Sequence, residues 1–183
     1  GYDGRPAWSP DGLAIAYNRP GSEWGTWRTW TISRDAVDAP WDEPVKLTDF
    51  GCLSPSWAPD GASLVCNGDD PDAEPERRWA PVRISRNGEM IWRYSHTPVS
   101  PRMQWSSSPR FSADGSVIYF VATDDEGWRG LWWIPAEGGD ATRIVAFDNP
   151  TVSVWSNLTV GTENFYFTIA EYESDIWVMD LDW

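Results

Sequence analysis

The stretch "PAWSPDGLAIAY", Pro6 to Tyr17, returns as "PSWAPDGASLVC" at Pro55 to Cys66 and as "PRFSADGSVIYF" at Pro109 to Phe120. Its centre, Ser9-Pro10-Asp11-Gly12, is a turn sequence. Proline presets φ for the first central position of a type I turn. Aspartate suits the second, and glycine accepts the left-handed conformation that closes it. Apolar runs flank the turn, Ala7-Trp8 before it and Leu13 to Tyr17 after it. The phrase thus encodes two antiparallel strands joined by a three-residue hairpin loop with a glycine bulge. The second copy keeps proline, aspartate and glycine; the third has Ala113 for proline and keeps Asp114-Gly115.

The spacing extends the reading. Trp8 to Trp57 is 49 residues (57 − 8), and Trp57 to Phe111 is 54 (111 − 57). A period of roughly 40 to 50 residues with four strands per repeat marks the blade of a β-propeller. The rest of each period supplies two more strands. "TWRTWTISR" (Thr26 to Arg34), "WAPVRISR" (Trp79 to Arg86) and "GLWWIPA" (Gly130 to Ala136) are rich in β-branched and aromatic residues. Asn87-Gly88 and Gly138-Gly139 then read as two-residue turns leading into "EMIWRY" and "ATRIVAF". In the first copy a longer link, "DAVDAPWDEP", leads into "VKLTDF". A worn fourth copy gives strands near Val152 to Trp155, Phe165 to Ile169 and Ile176 to Leu181, and lacks an outer strand. The runs "LAIAY", "VIYFVA" and "NFYFTI" are apolar on both faces, as expected of sheets sandwiched between neighbours. Fifteen tryptophans suit the wedges between twisted sheets. Trp8, Trp30, Trp57, Trp132 and Trp177 are expected to pack blade against blade. The expected fold is all-β, one propeller domain with repeats at about 5–50, 51–99, 100–150 and 151–183.

The pattern of "PAWSPDGLAIAY" with "VKLT", "PRFSADGSVIYF" with "LWWIPAEGGDATRI", and the ending "AEYESDIWVMDL" resembles the TolB-type β-propeller repeat. The resemblance spans nearly the whole chain. It implies a protein-interaction platform of the cell envelope; such repeats also serve as accessory domains of peptidases and sugar-acting lyases. No catalytic motif of the family is matched. Four copies either close a small ring or form the last part of a larger propeller. "GYDGR" at the start either pairs with the last blade and zips the ring, or leaves that edge open or covered by a partner. The chain begins at Gly1, so residues upstream are expected to have been removed or left out.

Acidic residues number 28 against 14 basic ones, a net charge of −14. Phosphate backbones and anionic lipid surfaces are repelled by such a chain. A basic protein partner, or a cation, is favoured; plain solubility of a Trp-rich β-protein is the competing explanation. There is no apolar run of membrane-spanning length. Cys52 and Cys66 flank the second hairpin. The hairpin register makes them diagonal rather than direct neighbours, so two free thiols are expected.

The chemistry-bearing residues are few. The lone histidine, His96, lies in a proline-flanked loop, and no G-x-S-x-G elbow accompanies it. Zinc and nucleotide motifs are absent from the sequence. "NGDDPDAEPE" (Asn67 to Glu76) misses the spacing of a calcium loop. Asn157-Leu-Thr fits a glycosylation sequon. No cofactor and no metal are expected. In a propeller, the links between second and third strands leave from the same end as the links between successive blades. That end is expected to gather Trp24, Asp69, Asp70, Glu74, Trp105, Asp124, Asp125, Trp128 and Tyr172 as a partner-binding face. The expectation is a non-catalytic scaffold, an extracytoplasmic or periplasmic accessory subunit of a larger envelope or membrane-associated assembly. The alternative is a carbohydrate- or peptide-binding or processing propeller domain of an enzyme.

Overall fold

The computed structural model describes residues 3–21, 27–69, 79–95, 107–124, 127, 129–149 and 151–171. Four antiparallel sheets follow one another along the chain. The first is β1 (Gly4–Trp8), β2 (Ala14–Pro20), β3 (Trp27–Ser33) and β4 (Val45–Lys46), in that spatial order. The second is β5 (Cys52–Trp57), β6 (Ser63–Asp69), β7 (Trp79–Ser85) and β8 (Met90–Arg93). The third is β9 (Ser107–Phe111), β10 (Val117–Thr123), β11 (Arg129–Pro135) and β12 (Thr142–Phe147). The fourth pairs β13 (Val152–Val160) with β14 (Phe165–Glu171); its expected third strand, with Trp177, lies outside the described residues. First strands stand side by side, β1 against β5, β5 against β9 and β9 against β13. These are propeller blades, arranged as read from the repeats.

Each letter of the hairpin phrase has a visible job. Gly12, Gly61 and Gly115 adopt φ of 70°, 69° and 75° and donate their N–H to the carbonyls of Ser9, Ala58 and Ser112. The aspartate holds the loop from inside. Asp11 Oδ1 accepts from the Ser9 hydroxyl at 2.5 Å and from Leu13 N at 2.9 Å. Asp114 Oδ1 accepts from the Ser112 hydroxyl, Ser116 N and the Ser116 hydroxyl at 2.6, 3.0 and 2.8 Å. These donors hold the Asp114 carboxyl at about 2, below its ordinary 3.8. The Asn87-Gly88 turn differs from expectation. Gly88 alone takes positive φ, donating to Ser85 O, while Ser85 N donates to Glu89 O, which makes a three-residue loop with a glycine bulge. A Cβ on Gly88 would stand 1.9 Å from Leu47 O, so the turn is shaped by backbone approach from the first blade.

Three apolar cores fill the spaces between blades. Ala14, Ala16, Trp57, Leu64, Val82 and Ile84 occupy the first. Val65, Phe111, Phe120, Trp132 and Ile134 occupy the second, and Val121, Leu131, Val154 and Leu158 the third. All seven residues of β6 are buried, as a sheet covered on both faces requires. The expectation fails at the two ends of the arc. Trp8 is 57% exposed, although Trp57 and Phe111 at the same repeat position are 8% and 7% exposed. Those two lean on the preceding blade, Trp57 donating Nε1–H to Ala7 O at 3.0 Å. Among the described residues no sheet packs comparably on the far side of β1, so Trp8 instead meets Trp41 edge to face. On β14, Phe165 and Phe167 face the third blade, but Tyr166 on the opposite face is 61% exposed, and Ile169, beyond the covered part of the inner face, is 51% exposed. "NFYFTI" is therefore covered on one face. Gly4 and Arg5 of "GYDGR" extend β1, with Gly4 opposite Asn18, rather than adding an outer strand to the last blade.

Cys52 and Cys66 form a disulfide, against the expectation of free thiols. The register is as anticipated, with Cys52 opposite Gly68 and so diagonal to Cys66. A bulge between Leu53 and Ser56 gives β5 an extra residue and bends it, and the two Cα atoms come to 5.5 Å. The bridge is fully buried in the core between the first two blades.

Candidate functional site

The same bulge recurs at one step of every inner strand of the first three blades. Register shifts fall between Gly4 and Ala7, between Leu53 and Ser56, and opposite Tyr119 to Val121. In each, the residue three before the Trp or Phe is in the left-handed region: Arg5, Ser54 and Ser108, at φ of 54°, 56° and 47°. Each precedes a proline, Pro6, Pro55 or Pro109. Proline has no N–H to give to a ladder, so it belongs where the ladder is broken. The second blade's bulge is clamped by the first. Asn18, 1% exposed, donates Nδ2–H to Cys52 O at 2.6 Å and accepts from Ser54 N at 2.8 Å through Oδ1. The Thr29 hydroxyl adds a bond to Cys52 O at 2.8 Å.

The bulges turn polar side chains toward the axis. A cavity of about 390 Å³ opens there, lined by Arg5, Arg110, Ser54, Ser56, Ser108 and Trp8 among others. Arg5 Nη1 donates to Ser54 Oγ at 2.5 Å. Arg110 Nη1 donates to Pro109 O at 2.9 Å and, more weakly, to Ser54 O at 3.4 Å. Among the described residues neither guanidinium has a carboxylate partner. Burial, and then the neighbouring Arg5 charge, lower the pKa of Arg110. This cavity is not among the expected sites, although the recurring X-Pro before each "AW", "SW" and "RF" marks its walls.

Of the nine residues expected at the partner-binding face, two are described. Asp69 ends β6 and Asp124 directly follows β10, so both stand where the links between second and third strands begin. Both are 5% exposed. Asp124 Oδ2 accepts from Arg143 Nη1 at 2.7 Å, and that guanidinium lies over the Trp132 ring. Asp69 N donates to Gly51 O at 2.8 Å, and its Cβ lies only 2.4 Å from where a Cβ on Gly51 would stand. Asp69 through its backbone and Asp124 through its carboxylate thus fasten strand ends to their own blade. Trp24, Asp70, Glu74, Trp105, Asp125, Trp128 and Tyr172, and also His96, lie outside the described residues. At the same end the exposed Asp3 is paired with Arg19 at 2.8 Å, which lowers the pKa of Asp3 through that hydrogen bond, and Asp49 is paired with Lys46. Acidity is not confined there: Asp35, Asp38, Glu43, Glu89 and Glu137 are exposed near the opposite end. No group of three or more metal-ligating side chains occurs among the described residues.

No family model and no curated protein matches this sequence. Solved structures do match. Puromycin hydrolase aligns at 17% identity with a TM-score of 0.66, over 93% of this chain and 25% of that one. TolB from Acinetobacter baumannii aligns at 15% identity with a TM-score of 0.58, over 92% and 40%. Oligogalacturonate lyase in complex with manganese aligns at 13% identity with a TM-score of 0.57, over 89% and 45%. The chain thus spans less than half the length of each of these proteins. At such identities the likeness is one of fold: the chain is structurally similar to TolB-like and prolyl-oligopeptidase-type β-propeller domains.

Proposed function

We propose that this chain is a non-catalytic binding platform, a propeller module that holds another protein against the end from which its second-to-third-strand links leave. The observation that carries this reading is the delivery of β2, β6 and β10 to one end by blades joined to each other through buried and part-buried hydrogen bonds. Asp69 and Asp124 anchor the roots of two such links, and a rigid frame beneath variable links is how loop-borne recognition is built. The net charge of −14 favours a basic partner surface. The buried Cys52–Cys66 bridge supports an oxidising, extracytoplasmic compartment. The likeness to TolB supports the same reading at the level of fold. In this reading the module is an accessory subunit of an envelope-associated assembly. The test is the native mass of the complex recovered with the chain from an envelope extract, with its components identified. A stoichiometric basic protein is expected; recovery of the chain alone would overturn the reading.

A further inference from the structure

The axial cavity carries a second inference, independent of the partner-binding face. It combines features that do not arise from packing alone. Two guanidinium groups, Arg5 and Arg110, are brought to one cavity by strands of different blades, β1 and β9. Neither has a carboxylate partner among the described residues, in a chain where acidic residues outnumber basic ones two to one. Arg19, Arg83, Arg86 and Arg143 each hold a carboxylate within 3.2 Å; Arg28, Arg34 and Arg129 also lack one among the described residues, but they do not line this cavity as Arg5 and Arg110 do. The bonds of Arg110 to protein oxygen run from Nη1, to Pro109 O and Ser54 O, and the residue lines the cavity. Ser54, Ser56 and Ser108 add hydroxyls around the pair.

Like charges lining one cavity cost free energy, and the partial burial of Arg110 adds to that cost. An oxyanion between them relieves both terms, and a planar fork of N–H donors fits a carboxylate or phosphate edge. About 390 Å³ is enough for a small ligand and falls within the usual range of such sites. The negative charge of the whole chain disfavours loose anion attraction elsewhere, so a local cationic pair confers selectivity. We propose that this cavity is an oxyanion-binding site for a small ligand bearing a carboxylate or phosphate group, gripped by Arg5 and Arg110 with the bulge serines as additional donors.

The experiment is calorimetric titration of the whole chain with succinate, and separately with inorganic phosphate, at constant ionic strength set by sodium chloride. Saturable one-to-one binding of either probe is expected, and which probe binds assigns the group. Arg5→Gln, at an exposed position, and Arg110→Gln should each weaken that binding about tenfold or more, as expected for loss of a charge-assisted bond. Arg86→Gln, which breaks a surface pair outside the cavity, should leave it unchanged. Circular dichroism and the thermal midpoint show that each variant is folded, and should Arg110→Gln fail to fold, Arg5→Gln and Arg110→Lys decide. No saturable binding of either probe, or binding that Arg5→Gln leaves intact, overturns the proposal.

Discussion

Replacing Asn18 by leucine probes the clamp between the first two blades. The side chain is 1% exposed, and its amide bridges Cys52 O, at 2.6 Å, and Ser54 N, at 2.8 Å, across the blade boundary. Leucine keeps the approximate volume and removes both bonds across the boundary, together with the longer one to the Thr29 hydroxyl at 3.3 Å. Cys52 O retains the Thr29 hydroxyl at 2.8 Å, so it is not orphaned. Ser54 N is, because it sits at the bulge where the β5–β6 ladder is broken. A buried donor left without an acceptor costs about 1–3 kcal/mol, and the lost net bond to Cys52 adds up to about 1. Greater apolar burial of leucine returns about 1 kcal/mol. The expected loss is therefore about 2 kcal/mol, or roughly 4–8 °C in thermal midpoint for a chain of this size. Urea unfolding monitored by tryptophan fluorescence reads it as a lower midpoint at unchanged slope. Thr29→Val is the internal comparison and should cost less, about 1 kcal/mol, because Asn18 still satisfies Cys52 O. An Asn18→Leu protein within about 0.5 kcal/mol of the parent would refute the clamp.

Three further outcomes follow from the same structure. Replacing Cys52 and Cys66 together by alanine should lower stability by about 3 kcal/mol, the loop-closure value for a bridge of 14 residues' separation, read by denaturant unfolding with and without reductant. Trp57→Ala should cost about 3–5 kcal/mol, whereas Trp8→Ala, at the equivalent repeat position but 57% exposed, should cost under about 1; equal costs would contradict the exposed flank of the first blade. The Asp114 carboxyl, held at about 2 against an ordinary 3.8, contributes stability that is present above pH 3.8 and lost as pH falls toward 2. Asp114→Asn should flatten the acid limb of the stability curve in that window, and an unchanged acid limb would contradict the hairpin bonds.

The hairpin phrase made the blades legible because turn chemistry is local. Asp11-Gly12 and its two copies state a conformation that no tertiary contact has to supply. The period of Trp8, Trp57 and Phe111 then placed the boundaries between blades. What stayed hidden depends on meetings between distant segments. The disulfide is not legible because the register alone separates Cys52 from Cys66; the bend at the Ser54 bulge brings them together. The exposure of Trp8 is not legible either, because burial at that position depends on a neighbouring sheet, not on its own phrase. The Gly88 turn was set by Leu47 O from another blade. Asn18 escaped notice although Asn67 repeats it ten residues after Trp57, since an isolated asparagine in an apolar strand carries no partner on its face. The axial cavity was written in Arg5-Pro6, Ser54-Pro55 and Ser108-Pro109, but a proline ahead of an aromatic does not disclose that a neighbouring blade contributes the second arginine. Asp69 and Asp124 were placed at the right strand ends by the repeat, while their burial came from Gly51 and from Arg143.

The proposed docking of a basic protein on the end from which the second-to-third-strand links leave is tested most directly by the salt dependence of that affinity. The dissociation constant for the recovered partner is measured from about 50 to about 500 mM sodium chloride, where screening shortens to within a few ångströms. Weakening of tenfold or more across that range, with further weakening in Trp128→Ala, is the predicted result. An affinity that is flat with salt and indifferent to Trp128→Ala would contradict it.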